Sequence, residues 1–269
     1  MPDIHPNSVV SGEAKIAESA RIGPFCVVGD DVCLGENVVL HSHCTIVGDT
    51  SIGDGTEVFP FASLGHRPQD LKFRGEKSRL VIGANNVIRE NVTMNPGTEG
   101  DNLETRVGDN CLFMVGSHVA HDSRIGNRVI MANNATLAGH VHVEDDVIFG
   151  GLSAAHQFCR IGQGAFVGGM CGVEFDIIPY GSVIGNRAHL AGLNLVGLRR
   201  RGIPREQIHA LRGAFKELFN GESKTVKERA SQVLSDYEGQ PLVQQMVEFI
   251  HGSSDRGLTM PLSGSAIAD

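Results

Sequence analysis

The residues best suited to chemistry in this 269-residue chain lie in one short stretch, Gly116-Ser117-His118-Val119-Ala120-His121-Asp122. An imidazole oriented by a carboxylate can take a proton from a hydroxyl as that hydroxyl attacks an acyl carbonyl. Neutral imidazoles can equally hold zinc. Adjacent side chains in a strand diverge, so pairing His121 with Asp122 requires a turn at that point. Further imidazoles follow in Gly139-His140 and His156-Gln157. What these residues can do depends on the element that places them.

That element is a six-residue repeat. An aliphatic side chain recurs at Ile4, Val10, Ile16, Ile22, Val28, Leu34, Leu40, Ile46, Ile52, Val58 and Leu64, and again at Ile82, Ile88 and Met94. The series then shifts by one and runs from Val107 through Phe113, Val119, Ile125, Met131, Leu137, Val143, Phe149, Ala155, Ile161 and Val167 to Val173. Six is not a helical period, and glycine directly after the aliphatic residue, as at Gly23, Gly29 and Gly126, marks a strand followed by a turn. Three such units make a triangular coil that cannot bury its face alone, and stacked coils bury the aliphatic column. A coil of 18 residues is expected to bring His121, His140 and His156 to nearly the same angular place, as a ladder of imidazoles.

Two stretches break the repeat. Asp70 and Glu76 fall on inward positions, where an unpaired carboxylate is prohibitive, so the segment around Gln69-Asp70-Leu71-Lys72 leaves the coil as a loop. A second excursion, Asn95-Pro96-Gly97-Thr98-Glu99-Gly100-Asp101-Asn102, accounts for the phase shift. Loops on a rigid scaffold are common places for function, although a tolerated surface insertion reads the same way. Cys26, Cys44, Cys111, Cys159 and Cys171 share the small corner position of the hexad and read as buried fillers, with Cys33 one place off. No paired CxxC motif is present.

A net charge of -8 and a pI near 5.8 argue against nucleic acid as main partner. The first residues carry no basic and apolar leader, and no run reaches membrane-spanning length, which points to the cytoplasm with reduced thiols. From Pro204 the apolar spacing changes to three and four (Ile208, Leu211, Phe215, Leu218), the signature of helices. The expected layout is a coil over 1–190 with protruding loops at about 65–81 and 95–106, a helical domain over 191–258 and a poorly ordered tail over 259–269.

The runs Ile22-Gly23-Pro24-Phe25, Gln69-Asp70-Leu71-Lys72, Ala120-His121-Asp122, Gly126-Asn127-Arg128, Ala132-Asn133-Asn134-Ala135-Thr136-Leu137-Ala138-Gly139-His140 and His156-Gln157-Phe158-Cys159 are specific. Through them, and nearly end to end from Ile4 to Leu258, the sequence resembles the UDP-N-acetylglucosamine O-acyltransferases that begin lipid A biosynthesis. The resemblance implies a mainly β fold, a left-handed parallel β-helix with a small α-helical domain, assembled as a homotrimer with active sites between subunits. It implies transfer of an R-3-hydroxyacyl chain from acyl carrier protein, whose phosphopantetheine arm is part of the donor substrate, to the sugar 3-hydroxyl, with no metal or other cofactor.

Carried over by position, His121 is the base, Asp122 its orienter, and the Gly139 N–H the oxyanion donor. Asp70 contacts the acyl 3-hydroxyl, while Lys72, His118, His140, His156 and Gln157 position substrate. Asn194, Arg200 and Arg201 hold the nucleotide end. Apart from the resemblance, Phe166 and Gly169 lie on coils placed to close the acyl pocket. The resemblance departs at Asn95-Pro96, where better-known members carry His-Arg, and at Val196, where glutamate is common. These changes leave open a 3-amino sugar as acceptor. The histidine-bearing coil also resembles the γ-class carbonic anhydrases, which implies zinc as the alternative chemistry.

Overall fold

A strand of two residues has too few hydrogen bonds to persist alone, so each one here exists by pairing with the coils on either side. A computed structural model describes residues 1–220, 225–252 and 254–262. Within it the strands Arg21–Ile22, Val27–Val28 and Cys33–Leu34 form one coil, each with its first side chain outward and its second buried. Ile22 pairs with Leu40 and Leu40 with Val58, which stacks the aliphatic column along one sheet. Three such sheets form the faces of a triangular prism, with 11, 9 and 8 strands among the described residues.

The loop lengths explain the phase shift. Adjacent coils are normally 18 residues apart, as at Ile22 and Leu40 (40 − 22), but Ile52 pairs with Ile82, 30 apart (82 − 52). Met94 pairs with Val119, 25 apart (119 − 94). The first loop therefore adds 12 residues, two whole hexads, and the second adds 7, one residue more than a hexad. Both loops are shorter than the spacing predicts. Arg79–Ile82 and Glu104–Val107 are paired four-residue strands, so the excursions span 65–78 and 95–103. Both leave the prism at the edge between the second and third sheets, the edge that carries His121.

The five corner cysteines are buried and Cys33 is exposed, as expected of small fillers. At the first coil, with no neighbour beyond it, Ile4 stays 38% exposed. The other end is closed by an antiparallel pair, Gly181–Ile184 with His189–Leu193, and by four helices among the described residues. These are α1 (Leu195–Arg200), α2 (Arg205–Phe219), α3 (Val226–Asp236) and α4 (Pro241–His251). Helix thus starts nine residues before Pro204 (204 − 195), and Pro204 is the N-cap of α2. The boundary expected at 191 falls inside a strand, and coil gives way to helix at Asn194.

The tail expected from Thr259 is not loose at its start. Thr259 is buried, its N–H donates to the Asp176 carbonyl at 2.8 Å, and the Leu190 N–H donates to the Met260 carbonyl at 3.0 Å. Backbone pairing to the prism holds it, and residues 263–269 of that expected tail lie outside the described residues. Among the described residues no helix is long and apolar enough to cross a membrane.

Candidate active site

At the edge between the second and third sheets the chain turns through left-handed backbone at Asp122, His140 and Phe158, with φ of 59°, 61° and 66°. This conformation is costly for a residue with a side chain, and here it folds the Asp122 carboxylate back onto its neighbour. His121 Nδ1 lies 2.8 Å from Asp122 Oδ2. The turn that the sequence requires for this pairing is present.

Besides His121, Thr98 holds the carboxylate twice: its N–H donates to Oδ1 at 2.8 Å and its hydroxyl to Oδ2 at 2.6 Å. The Asp122 backbone is fixed as well, its N–H donating to Thr105 Oγ1 at 2.8 Å. Asp122 is completely buried and His121 is only 6% exposed, because the second loop lies down over the edge with Asn95, Pro96, Gly97 and Thr98 all buried. Burial pushes the Asp122 carboxyl up, but the hydrogen bonds from His121 and Thr98 outweigh it and hold the group below the ordinary carboxylate value. An ionised Asp122 accepts a proton-bearing Nδ1 and leaves the His121 Nε2 lone pair available.

Gly139 packs directly on that ring: a Cβ there would lie 2.5 Å from His121 Cε1 and 2.7 Å from Nε2. Only glycine leaves the imidazole its place, and the Gly139 N–H meets no acceptor among the described residues. His140 stands edge-on to His121 with ring centroids 5.0 Å apart and stacks flat on Phe158 at 4.5 Å. Its Nε2 lies 3.8 Å from Asp122 Oδ2 and its Nδ1 3.7 Å from Asp101 Oδ2. His118 Nδ1 is 2.7 Å from the Thr93 hydroxyl, and burial, followed by the like charge of His121, pushes its imidazole below the ordinary value.

The expected ladder of three histidines is offset. Counting coils of 18, His121 registers with Gly139 and Gln157, Asp122 with His140 and Phe158, and His156 with Ala138. His156 is one residue short of the His121 column, and its Nδ1 instead accepts the Arg256 guanidinium N–H at 2.6 Å. The groups that converge on one point, within 4.8 Å, are therefore His121, Asp122 and His140. In that group Asp122 Oδ2 is already engaged by His121 and Thr98.

The remaining expected residues form two separate groups. Asp70 is engaged within its own loop, its Oδ1 accepting the Lys72 N–H at 2.9 Å, and Lys72 is exposed. Phe166, Asn194, Arg200 and Arg201 line a cavity of about 610 Å³ between the first sheet and the helices, into which Val196 also faces. Gly169 is not in its wall: it sits in the turn beyond Phe166, against Gly151. Asn194 caps α1, its Oδ1 accepting the Gly197 N–H at 2.9 Å and its amide donating to the Gly164 carbonyl at 3.0 Å. Arg201 reaches Asp146 at 3.5 Å, yet its Nη2 is buried without a hydrogen-bond partner among the described residues. An unpaired buried donor of that charge is suited to an anion.

Sequence reasoning missed Thr98, Thr105, Phe158 and Arg256. Phe158 was readable from the same count of 18 that aligns Asp122 with His140. Thr98 and Arg256 lie in segments without a period and gave no signal. Asn95 has a clear structural task, its amide donating to the His66 carbonyl at 3.0 Å and so tying one loop to the other.

Prism, corner imidazole and helical cap together are the frame of a hexapeptide-repeat protein. The model for bacterial transferase hexapeptide repeats matches residues 13–48 and 104–139, and that for domain 2 of the UDP-N-acetylglucosamine O-acyltransferases matches residues 176–259. An acyl-[acyl-carrier-protein]–UDP-N-acetylglucosamine O-acyltransferase of Paracoccus denitrificans is 58% identical, over 76% of this chain and 77% of its own. A Rhizobium johnstonii protein of the same name is 49% identical over 97% of this chain and 96% of its own. A crystal structure of a UDP-N-acetylglucosamine acyltransferase superposes with a TM-score of 0.93 at 42% identity, covering 97% of this chain and all (100%) of that one. The chain belongs to the UDP-N-acetylglucosamine O-acyltransferase family, and its prism is a left-handed parallel β-helix.

Proposed function

We propose that this protein moves an R-3-hydroxyacyl chain from the thioester of acyl carrier protein to the 3-hydroxyl of UDP-N-acetylglucosamine, the first step of lipid A biosynthesis. The observation that carries the reading is His121, with Nδ1 engaged by a buried carboxylate and Nε2 turned toward Gly139. His121 Nε2 takes the proton of the sugar 3-hydroxyl as its oxygen bonds to the thioester carbon. The carbonyl oxygen becomes an oxyanion that accepts the Gly139 N–H. Collapse breaks the carbon–sulfur bond, and the proton on His121 passes to the departing thiolate. The donor arrives with its own phosphopantetheine arm, so the reading assigns the protein no metal or bound cofactor.

Asp70, Lys72, His118, His140, His156 and Gln157 serve as positioning contacts to sugar and acyl chain in this reading. Arg200 and Arg201 face the diphosphate from the cavity, and the partnerless Nη2 of Arg201 supports that role. Phe166, in the cavity wall, bounds the acyl chain. One chain holds these groups apart, which supports a homotrimer whose neighbouring copies bring loop, cavity and catalytic edge together. Leu71, at the loop tip and 97% exposed, is then covered by a neighbour.

The test is mass spectrometry of the product formed from acyl carrier protein thioesters with UDP-N-acetylglucosamine or its 3-amino analogue. O-acylated product with the natural sugar is expected. Product only with the amino analogue would move the reading to that acceptor, and no acylated sugar from either would overturn it.

A further inference from the structure

We infer that Arg256, carried by the segment after the last helix, is a positioning residue that sets the proton on His156. The guanidinium forks over one rung of the catalytic edge: Nη2 lies 2.6 Å from His156 Nδ1, and Nε donates to the Gln157 carbonyl at 2.8 Å. A guanidinium has only donors and stays charged, so Nδ1 must be the acceptor. The alternative partner of Nδ1, the Gln157 carbonyl, is 3.4 Å away and already accepts from Arg256. His156 is therefore neutral with its proton on Nε2, and it offers a donor to any oxygen placed against the ring's free edge.

The backbone beside Arg256 is built to hold this reach. Gly257 turns through left-handed backbone at φ 71°, and its carbonyl accepts the Asp176 N–H at 2.9 Å. The Asp176 carbonyl takes the Thr259 N–H at 2.8 Å, and the Thr259 hydroxyl donates to the Phe175 carbonyl at 3.1 Å. Asp176, completely buried, is fixed in turn by the Arg160 Nε at 2.7 Å. The chain's final described segment is thus strapped to the prism next to the site, and one arginine of that strap determines what His156 can recognise. A donor at Nε2 selects hydrogen-bond acceptors such as sugar hydroxyl or carbonyl oxygens. The link to substrate rests on the acyl-transfer reading, whereas the tautomer does not.

The experiment uses the full-length protein labelled with ¹⁵N in histidine, its His156 resonances identified by their loss in His156→Gln. Long-range ¹H–¹⁵N spectra at neutral pH should show Nδ1 unprotonated and Nε2 protonated in the wild type. Arg256→Leu should mix the two tautomers and raise KM for the UDP-sugar about tenfold, the worth of one charged hydrogen bond, with kcat within about threefold. Arg256→Lys retains a donor for Nδ1 and should restore the single tautomer even if Arg256→Leu folds poorly. A wild-type His156 protonated on Nδ1, an unchanged tautomer and KM in Arg256→Leu, or a lysine variant that behaves like leucine would each overturn the assignment. Should the wild type transfer no acyl group, the acyl-transfer reading fails and the spectra alone decide the role of Arg256.

Discussion

Asp122 does two things at once, keeping its own charge in a buried place and turning the His121 proton away from the reacting edge. Replacing it with asparagine keeps the shape but presents an amide to the imidazole, which favours the wrong tautomer. Asp122→Asn is expected to lower kcat about 10²- to 10⁴-fold. Its acid behaviour follows from the sign of the shift. Because the folded carboxyl sits below its ordinary value, it stabilises the fold fully above about pH 4, and that contribution is lost as pH falls through the lowered folded value. Chemical denaturation from about pH 5 downward should therefore show a steeper loss of stability in the wild type than in Asp122→Asn. Parallel slopes would mean that the carboxylate is not held ionised by His121 and Thr98.

The second loop is the element that closes the site. A Cβ on Gly97 would lie 2.0 Å from the Glu104 N, a backbone atom that cannot step aside without moving the strand. Gly97→Ala should therefore cost about 1–3 kcal/mol in denaturation and lift Thr98 off Asp122, lowering kcat as well. A variant with wild-type stability and turnover would remove the loop from the account.

This element also marks the limit of what the residues disclose before folding. The inward aliphatic position is imposed by burial at every hexad, so the coil, its inward column and the alignment of Gly139 with His121 were readable by counting. The 18-residue coil brings the three histidine-bearing stretches to one edge, but taken residue by residue it puts Gln157, not His156, in the His121 column. Thr98 and Arg256 were invisible because a loop and a terminal strap obey no period. Thr98 is placed by hydrogen bonds to Asp122, and Arg256 by its own bonds to His156 and Gln157 and by the pairing of Gly257 and Thr259 with Asp176; local spacing carries no trace of these.

At the scale of the whole molecule, the catalytic edge, the Asp70–Lys72 loop and the arginine-lined cavity are three places on one chain. If neighbouring copies complete each site, Lys72→Ala and His121→Ala subunits, each inactive alone, should regain acyl transfer when co-expressed as mixed trimers. Sedimentation should give three times the 28.7 kDa chain mass, and mixtures as inactive as their parents would contradict sites shared between copies. Everything else in the reading depends on His121 acting as the base. Its most direct test is the kcat for transfer from acyl carrier protein thioester to UDP-N-acetylglucosamine in His121→Ala against the wild type. The account predicts a loss of about 10²- to 10⁴-fold with the trimer intact, and near-normal turnover would contradict it.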